Sequence, residues 1–344
     1  MTTATAVSAG PMEYVKTIGL TTNQSGRGFI NPYDCGFTND GRILVLNHAD
    51  AARAALIRIG VLNWDEDYLG EYSKGTGRGE GQWMLPIGMA ISADQRVHIT
   101  DEHLHRVTVL DTSGEFIRMW GEQGDALGQL NGPSGISVAP DGTVYVAEQH
   151  NHRVQVFTPE GDPVAQWGEP GDGPGQFNMP WGIGLDTDGN VFVADWRNDR
   201  IQKFTADGQH LATYGSSGSG DGEFSRPSGV CVDSDGYIYV SDWGNERVQL
   251  LDPEGNFVQT LRGQATLSKW AQDFMSVNPD EYNTRQIANL VPDLPDHLDT
   301  PYLISAQTEP YFWGPVSIRL DPEGRLFVVE ANRHRIQVYQ RRKD

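Results

Sequence analysis

A proline that returns at a fixed step restricts this chain more than any other feature. Pro86, Pro133, Pro180 and Pro227 follow one another at intervals of 47 residues, and Pro32 and Pro315 stand in the same local pattern. The segment Gln129-Leu-Asn-Gly-Pro133-Ser-Gly-Ile-Ser-Val-Ala-Pro-Asp-Gly142 lies over Gln176-Phe-Asn-Met-Pro180-Trp-Gly-Ile-Gly-Leu-Asp-Thr-Asp-Gly189 almost position for position. A constant step of this size means one supersecondary unit repeated, each copy burying its apolar faces only against its neighbours.

Within one unit the pattern predicts four short strands, a to d. Ile136–Val138 is strand a and Val144–Ala147 strand b, joined at Asp141-Gly142, a pair favoured where both φ angles are positive. Val154–Phe157 is strand c, Glu160-Gly161 turns the chain, and Val164–Trp167 is strand d. Strands a and b are nearly unbroken apolar runs, as expected where a sheet is covered on both sides. Blades packed around a common axis supply that cover, and the forty glycines suit many short strands joined by tight turns.

The two ends settle the topology. The sixth unit has Leu326–Val329 and Ile336–Tyr339 but no strand d, whereas Met12-Glu-Tyr-Val-Lys-Thr-Ile-Gly19 matches the strand d segment Glu115-Phe-Ile-Arg-Met-Trp-Gly121. The N-terminal strand is therefore expected to complete the last blade and remove an exposed edge. The expectation is a loose tail over 1–10 and one all-β domain over 11–344, a six-bladed β-propeller with four-stranded antiparallel blades. Pro227 to Pro315 spans 88 residues rather than 47, so one insertion, 264–313, falls between blades 5 and 6. Leu267, Trp270, Ala271, Phe274 and Met275 recur there at helical spacing, and Asn278-Pro-Asp-Glu281 reads as the N-cap, first-turn proline and capping-box glutamate of a second helix. The insertion is expected to be a lid over a site or a brace on blades 5 and 6.

Three marks recur: Pro-x-Gly entering strand a, Asp-Gly at the a–b turn, and Asp-x-x-Asn-x-Arg between b and c. The last is intact in Asp195-Trp-Arg-Asn198-Asp-Arg200 and Asp242-Trp-Gly-Asn245-Glu-Arg247 and relaxed in 101–106, 148–153 and 330–335. In the first blade Asn47-His-Ala-Asp-Ala-Ala-Arg53 stands in its place. In these marks the chain resembles the NHL-repeat family of six-bladed propellers over nearly its whole length. The resemblance implies the fold and leaves activity open, because propellers carry unrelated functions. The NHL lyases that cleave peptidyl-α-hydroxyglycine place zinc histidines directly after the marker proline. The corresponding residues here are Tyr33, Ile87, Ser134, Trp181, Ser228 and Val316. None is histidine, and only Pro32-Tyr33-Asp34 keeps the aspartate of that family's Pro-His-Asp. The Asp and Asn ligands of gluconolactonase-like propellers are matched no better, so neither a catalytic metal nor a cofactor is expected.

A net charge of −20 disfavours nucleic-acid backbones and anionic lipid surfaces as partners. No run approaches the roughly 18 apolar residues of a membrane span, and Met1–Gly10 has neither the basic start nor the apolar core of a secretory signal. Cys35 and Cys231 fall in equivalent strands of blades that are not neighbours, which excludes a disulfide, and neither has metal-site spacing. A reducing compartment, the cytoplasm, is expected.

Antiparallel strands place the b–c loops and the d–a connections on one face, here called the top, and the short Asp-Gly turns on the other. Loops held on a rigid scaffold usually carry function. Six of the nine histidines lie in top-face b–c loops, and His105, His152 and His334 directly precede the repeat arginine, where structural roles are expected. Around the channel mouth the candidate ligand-binding residues are Tyr33, Ser134, Trp181, Ser228, His103, His150, Trp196, Trp243 and Trp313. Asp34 is the candidate general base and Arg226 the candidate anion clamp. An aromatic mouth with a few polar groups suits a small organic ligand, with metal-independent lyase or hydrolase chemistry beneath 264–313. The alternative is a non-catalytic scaffold that holds a protein partner on the top rim. The glycine run 75–81 lacks the following helix of a phosphate cradle, and the Asp186 and Asp233 turns lack the later ligands of a calcium loop.

Overall fold

The structure, a computed structural model, describes residues 11–22, 24–48 and 56–342. The expected tail over 1–10 and the part of the first b–c loop that contains Arg53 lie outside the described residues. The chain begins with β1 (Met12–Ile18), followed by five complete blades in sequence order. Blade 1 is β2 (Pro32–Phe37), β3 (Ile43–Asn47), β4 (Arg58–Leu62) and β5 (Tyr68–Tyr72). Blade 2 is β6 (Pro86–Ile91), β7 (Arg96–Asp101), β8 (Arg106–Asp111) and β9 (Phe116–Trp120). Blade 3 is β10 (Pro133–Val138), β11 (Val144–Glu148), β12 (Arg153–Phe157) and β13 (Pro163–Trp167). Blade 4 is β14 (Pro180–Leu185), β15 (Val191–Asp195), β16 (Arg200–Phe204) and β17 (His210–Tyr214). Blade 5 is β18 (Pro227–Val232), β19 (Ile238–Asp242), β20 (Arg247–Leu251) and β21 (Phe257–Leu261).

Blade 6 is shared between the two ends of the chain. β22 (Pro315–Leu320), β23 (Arg325–Glu330) and β24 (Arg335–Arg341) take β1 as their fourth strand, paired antiparallel from Met12 opposite Arg341 to Ile18 opposite Ile336 with a one-residue register shift between Tyr14 and Lys16. The cores lie between blades rather than inside them. One cluster joins Leu44, Leu46 and Ile59 of blade 1 to Met89, Val97 and Ile99 of blade 2. Strands b are accordingly buried at every residue in blades 1, 3, 4 and 5, whereas the outermost β13 has none buried.

The a–b turn differs from the expected form. Gly142 has φ of 91° but Asp141 does not join it on the positive side. Gly142 N–H donates to Ala139, and Ala139 N–H to Thr143, so Pro140-Asp141 occupy the centre of an ordinary turn and only the glycine needs the left-handed region. Pro140, with φ fixed near −65°, suits the first central position of such a turn and excludes the doubly positive one.

The family motif is a device for fixing the top loops. Asp195 accepts from Asn178 N–H at 2.7 Å and from Asn198 Nδ2 and Arg200 Nε at 2.8 Å each. Arg200 then donates to the carbonyls of Asp172, Gly173 and Gln176 in the preceding d–a loop. Blades 3 and 5 repeat this with Glu148–Arg153 and Asp242–Arg247. Blade 1 keeps the arginine as well, farther along the chain than Arg53: Arg58 sits across from Asn47 as Arg106 sits across from Asp101. The glycine run 75–81 is filled by its own loop, since Gln82 Oε1 accepts from Gly79 N–H.

A second tie links successive blades. The residue before the repeat arginine has φ of 52–53° and turns its side chain toward the next blade. His105 Nδ1 accepts from Gly132 N–H, His152 Nδ1 from Met179, Asp199 from Arg226, Glu246 from Gly314, and His334 Nδ1 from Asn31, at 2.6–3.1 Å. Each donor directly precedes the marker proline of the next blade. The last tie, from blade 6 to blade 1, spans the point where the ring closes.

The insertion forms α1 (Lys269–Val277), α2 (Pro279–Ile287) and α3 (Pro301–Gln307). α1 is a brace, and it lies on the closure seam between blades 6 and 1. Trp270 is buried edge-on against Phe29 at 5.5 Å and donates from Nε1 to Glu66 O, while the N-cap Ser268 donates to Gly19 O. Asn278 makes no side-chain cap to α2; its Nδ2 instead donates to Phe274 O at the end of α1. α3 rests on the top face, where Arg333 donates to the carbonyls of Ser305 and Thr308 and Tyr302 meets Trp313 at 5.7 Å. Among the described residues no helix is long and apolar enough to cross a membrane.

Candidate functional site at the top mouth

The inner strands begin at the top, so the six residues after the marker prolines converge on the axis. Together with Arg319 below them they bound a free volume of about 20 Å³, room for roughly one water. The channel is closed to organic ligands at this level. Ser134 and Ser228 belong to this wall: Ser134 Oγ is hydrogen-bonded to the carbonyls of Ala147, Pro180 and Trp181, and Ser228 Oγ to Ser241 and Pro315 O. Both hydroxyls tie neighbouring blades together.

Asp34 is also in the wall. It is 1% exposed, and its carboxylate accepts from Cys35 N–H, Met89 N–H, Ser317 Oγ and two nitrogens of Arg319. It joins blades 1, 2 and 6, and no lone pair is left facing the mouth. Arg226 stands at the rim of the mouth, outside the channel wall. Its N–H makes the tie to Asp199, and its guanidinium lies 5.1 Å over the Trp196 ring.

A second ring sits above the channel, made by the residue that follows strand b in each blade: His48, Glu102, Gln149, Trp196, Trp243 and Ala331. In blades 1, 2, 3 and 6 the N–H of this residue donates to the carbonyl just before the marker proline of the same blade. That bond holds the second-ring residue beside the first-ring residue. The six positions are equivalent in the fold and carry five different residue types.

Blades 4 and 5 form an aromatic wall. Trp181 and Trp196 lie 6.1 Å apart, and Trp196 and Trp243 6.3 Å. Trp243 and Tyr33 both pack against the core cluster that contains Val316 and Ala331, so blade 6 supplies an apolar floor between them. Trp313 stands apart from this wall, capping Glu330 through its N–H and facing Tyr302 and Arg333.

Blades 1 to 3 form a titratable wall. Tyr33 stacks on His48 at 4.4 Å and 21°. His48 Nδ1 is 3.1 Å from Pro86 O; a carbonyl only accepts, so Nδ1 carries the proton and Nε2 is the basic nitrogen. Burial pulls the His48 pKa below its ordinary value. Burial, reinforced by the charge of Glu102, raises that of Tyr33. Glu102 itself is raised, first by burial, with His150 opposing. His103 and His150, both exposed, flank Glu102. Among the described residues no group of three or more His, Cys, Asp or Glu is placed to hold a metal ion. Cys35 and Cys231 are free thiols, both pushed up by burial.

Of the residues singled out in the sequence, Tyr33, Trp181, Trp196, Trp243, His103 and His150 meet at the mouth. Asp34, Ser134 and Ser228 line the closed channel, and Trp313 sits under α3. Glu102 and the orientation of His48 are new. Their signal in the sequence is positional: both occupy the slot that Trp196 and Trp243 fill in blades 4 and 5.

The NHL repeat family matches residues 130–157, 177–204, 224–249 and 312–339, which are the first three strands of blades 3 to 6. The chain is a six-bladed propeller that carries NHL repeats. No curated protein matches it by sequence. Among solved structures, a catalytically inactive virginiamycin B lyase from Staphylococcus aureus with quinupristin is 16% identical, with 96% of this chain and 99% of that chain covered and a TM-score of 0.57. A gluconolactonase from Xanthomonas campestris is 14% identical, with 89% and 84% covered and a TM-score of 0.54. A protein of unknown function from Bacteroides thetaiotaomicron is 19% identical, with 95% and 75% covered and a TM-score of 0.59. Likeness at this identity establishes that the NHL-repeat propeller shares their fold.

Proposed function

We propose that this propeller binds a small organic molecule across its top mouth, above the closed channel, and acts on it by proton transfer in a lyase or hydrolase reaction. The observation that carries the reading is the asymmetry of the two rings. Three indoles on one side face His48, Tyr33 and Glu102 on the other, because blades 4 and 5 lie opposite blades 1 and 2 in a six-membered ring. Indole faces hold apolar ligand surface. His48 Nε2, with Nδ1–H fixed by Pro86 O, is arranged to take a proton, and Glu102, with its pKa raised, is arranged to deliver one to a leaving group. Solved propellers of similar fold include a lyase with quinupristin and a gluconolactonase. The free thiols favour a reducing, cytoplasmic setting.

The test uses a panel of lactones and quinupristin with intrinsic tryptophan fluorescence and product analysis. Trp196→Ala should weaken binding about tenfold, in line with loss of one aromatic contact. His48→Gln should cut turnover by about 10² or more while binding persists. Binding indifferent to Trp196 would refute the mouth as the site, and turnover indifferent to His48 would refute its role. The scaffold alternative draws on a different surface: Val277, Ile287 and Val291 of the insertion are 76%, 87% and 58% exposed. Ile287→Asp should weaken association with a protein partner and leave small-ligand binding unchanged.

A further inference from the structure

The guanidinium groups divide sharply by what they touch. Arg58, Arg153, Arg200, Arg247, Arg319 and Arg335 each pair with a carboxylate. Arg106, Arg262 and Arg333 donate to backbone carbonyls. Arg197 and Arg226 do neither. Among the described residues their guanidiniums meet only the Trp196 ring, at 5.5 Å and 5.1 Å, and both side chains are exposed at the mouth.

Two like charges drawn to one indole repel each other, and no acid side chain pairs with either, although the chain carries a net charge of −20. The backbone of Arg226 is fixed in place. Its φ is 52° and its N–H is held by Asp199 Oδ1 at 2.6 Å, so the side chain springs from a set point between blades 4 and 5. A planar guanidinium already stacked on an aromatic face keeps its N–H edge free for an oxyanion.

We infer that the ligand of the mouth is an organic anion, its carboxylate or similar oxyanion met by Arg226 and Arg197 and its flat apolar body laid on Trp181 and Trp243. The inference rests on the mouth being the ligand site and adds the class of ligand. It also gives the surrounding negative field a use. Repulsion from the acidic surface disfavours anions elsewhere, so the two arginines favour this spot.

The experiment compares 1-naphthoate with its neutral isostere 1-naphthamide, by calorimetry and tryptophan quenching, on the full chain. Wild type should bind naphthoate at least about tenfold more tightly than the amide, and the preference should shrink as salt is raised. The double variant Arg197→Gln/Arg226→Gln should bind the two probes equally, with amide affinity unchanged, and Arg226→Gln alone should lose part of the preference. An unchanged preference in the double variant, or no preference in wild type, overturns the anion clamp and leaves the mouth standing as a site. Binding of both probes that is indifferent to Trp181→Ala and Trp243→Ala overturns the clamp together with the mouth. Both arginines are exposed, so a thermal transition equal to wild type confirms that the variants are folded.

Discussion

Each b–c loop has an outer half and an inner end, and the two follow opposite rules. In the outer half the acid–arginine pair recurs in blades 3 to 6 and the inter-blade tie in blades 2 to 6, as in Asp195–Arg200 and Asp242–Arg247. At the inner end, one residue past strand b, nearly every blade differs, from His48 and Glu102 to Trp196 and Ala331. Repetition marks what holds the ring, and variation marks what lines the mouth. The distinction operates over two or three residues of chain.

The sharpest break in that comparison would come from Arg200 and Arg197, which share one loop. Arg200→Ala leaves Asp195 buried without its cation and should cost about 3–5 kcal/mol of stability, read from urea unfolding. Arg197→Ala should stay within about 0.5 kcal/mol. Equal losses would erase the division between the halves of the loop.

Next in size is Glu246, which fills a tie position with an acid where three other blades use histidine. Burial raises its pKa from 4.5 to about 7. The folded state therefore holds a proton that the unfolded chain releases more readily, and stability falls as pH rises from about 4.5 to about 7. Glu246→Gln keeps an oxygen for Gly314 N–H and avoids that loss. It should gain about 2–3 kcal/mol over wild type at pH 8 and little at pH 4, measured as melting temperature against pH.

His152→Ala removes the tie to Met179 and should cost about 1 kcal/mol at pH 8. Burial depresses the His152 pKa, so the fold resists protonation and the stability contributed by the neutral ring is lost as pH falls from about 6.5 through the lower folded value. The gap between variant and wild type should close over that range. The smallest effect belongs to the inner end: Glu102→Gln should alter stability by less than about 1 kcal/mol, with the sign favouring glutamine at neutral pH because the Glu102 pKa is raised.

The blades, their order and the closing strand were legible because the repeat fixes them at the level of period and register, as Met12–Ile18 shows by matching strand d. The site was legible in part. Trp181 and Trp196 could be placed at the mouth from their slots, but Asp34 and Ser134 occupy inner-strand positions whose side chains turn into the seam between blades, and no one-dimensional pattern states which neighbour a side chain meets. Arg58 escaped notice because a longer first loop displaces it from the spacing seen elsewhere. Glu102 was hidden by company, since an acid among acids is distinguished only by what buries it. The capping box at Asn278 failed because its amide found the carbonyl of Phe274, a partner four residues back that the motif does not consider.

The pairing of β1 with β24 has a consequence for how the molecule is made. Of the propeller strands β1 is made before and β24 after all the others, so β1 must wait with its edge open and the ring stays an open arc until blade 6 is complete. Trp270 and Ser268, which reach back to Phe29 and Gly19, emerge shortly before the final blade. They can gather the waiting strand to the joint early, converting a closure over the whole chain into a short local step.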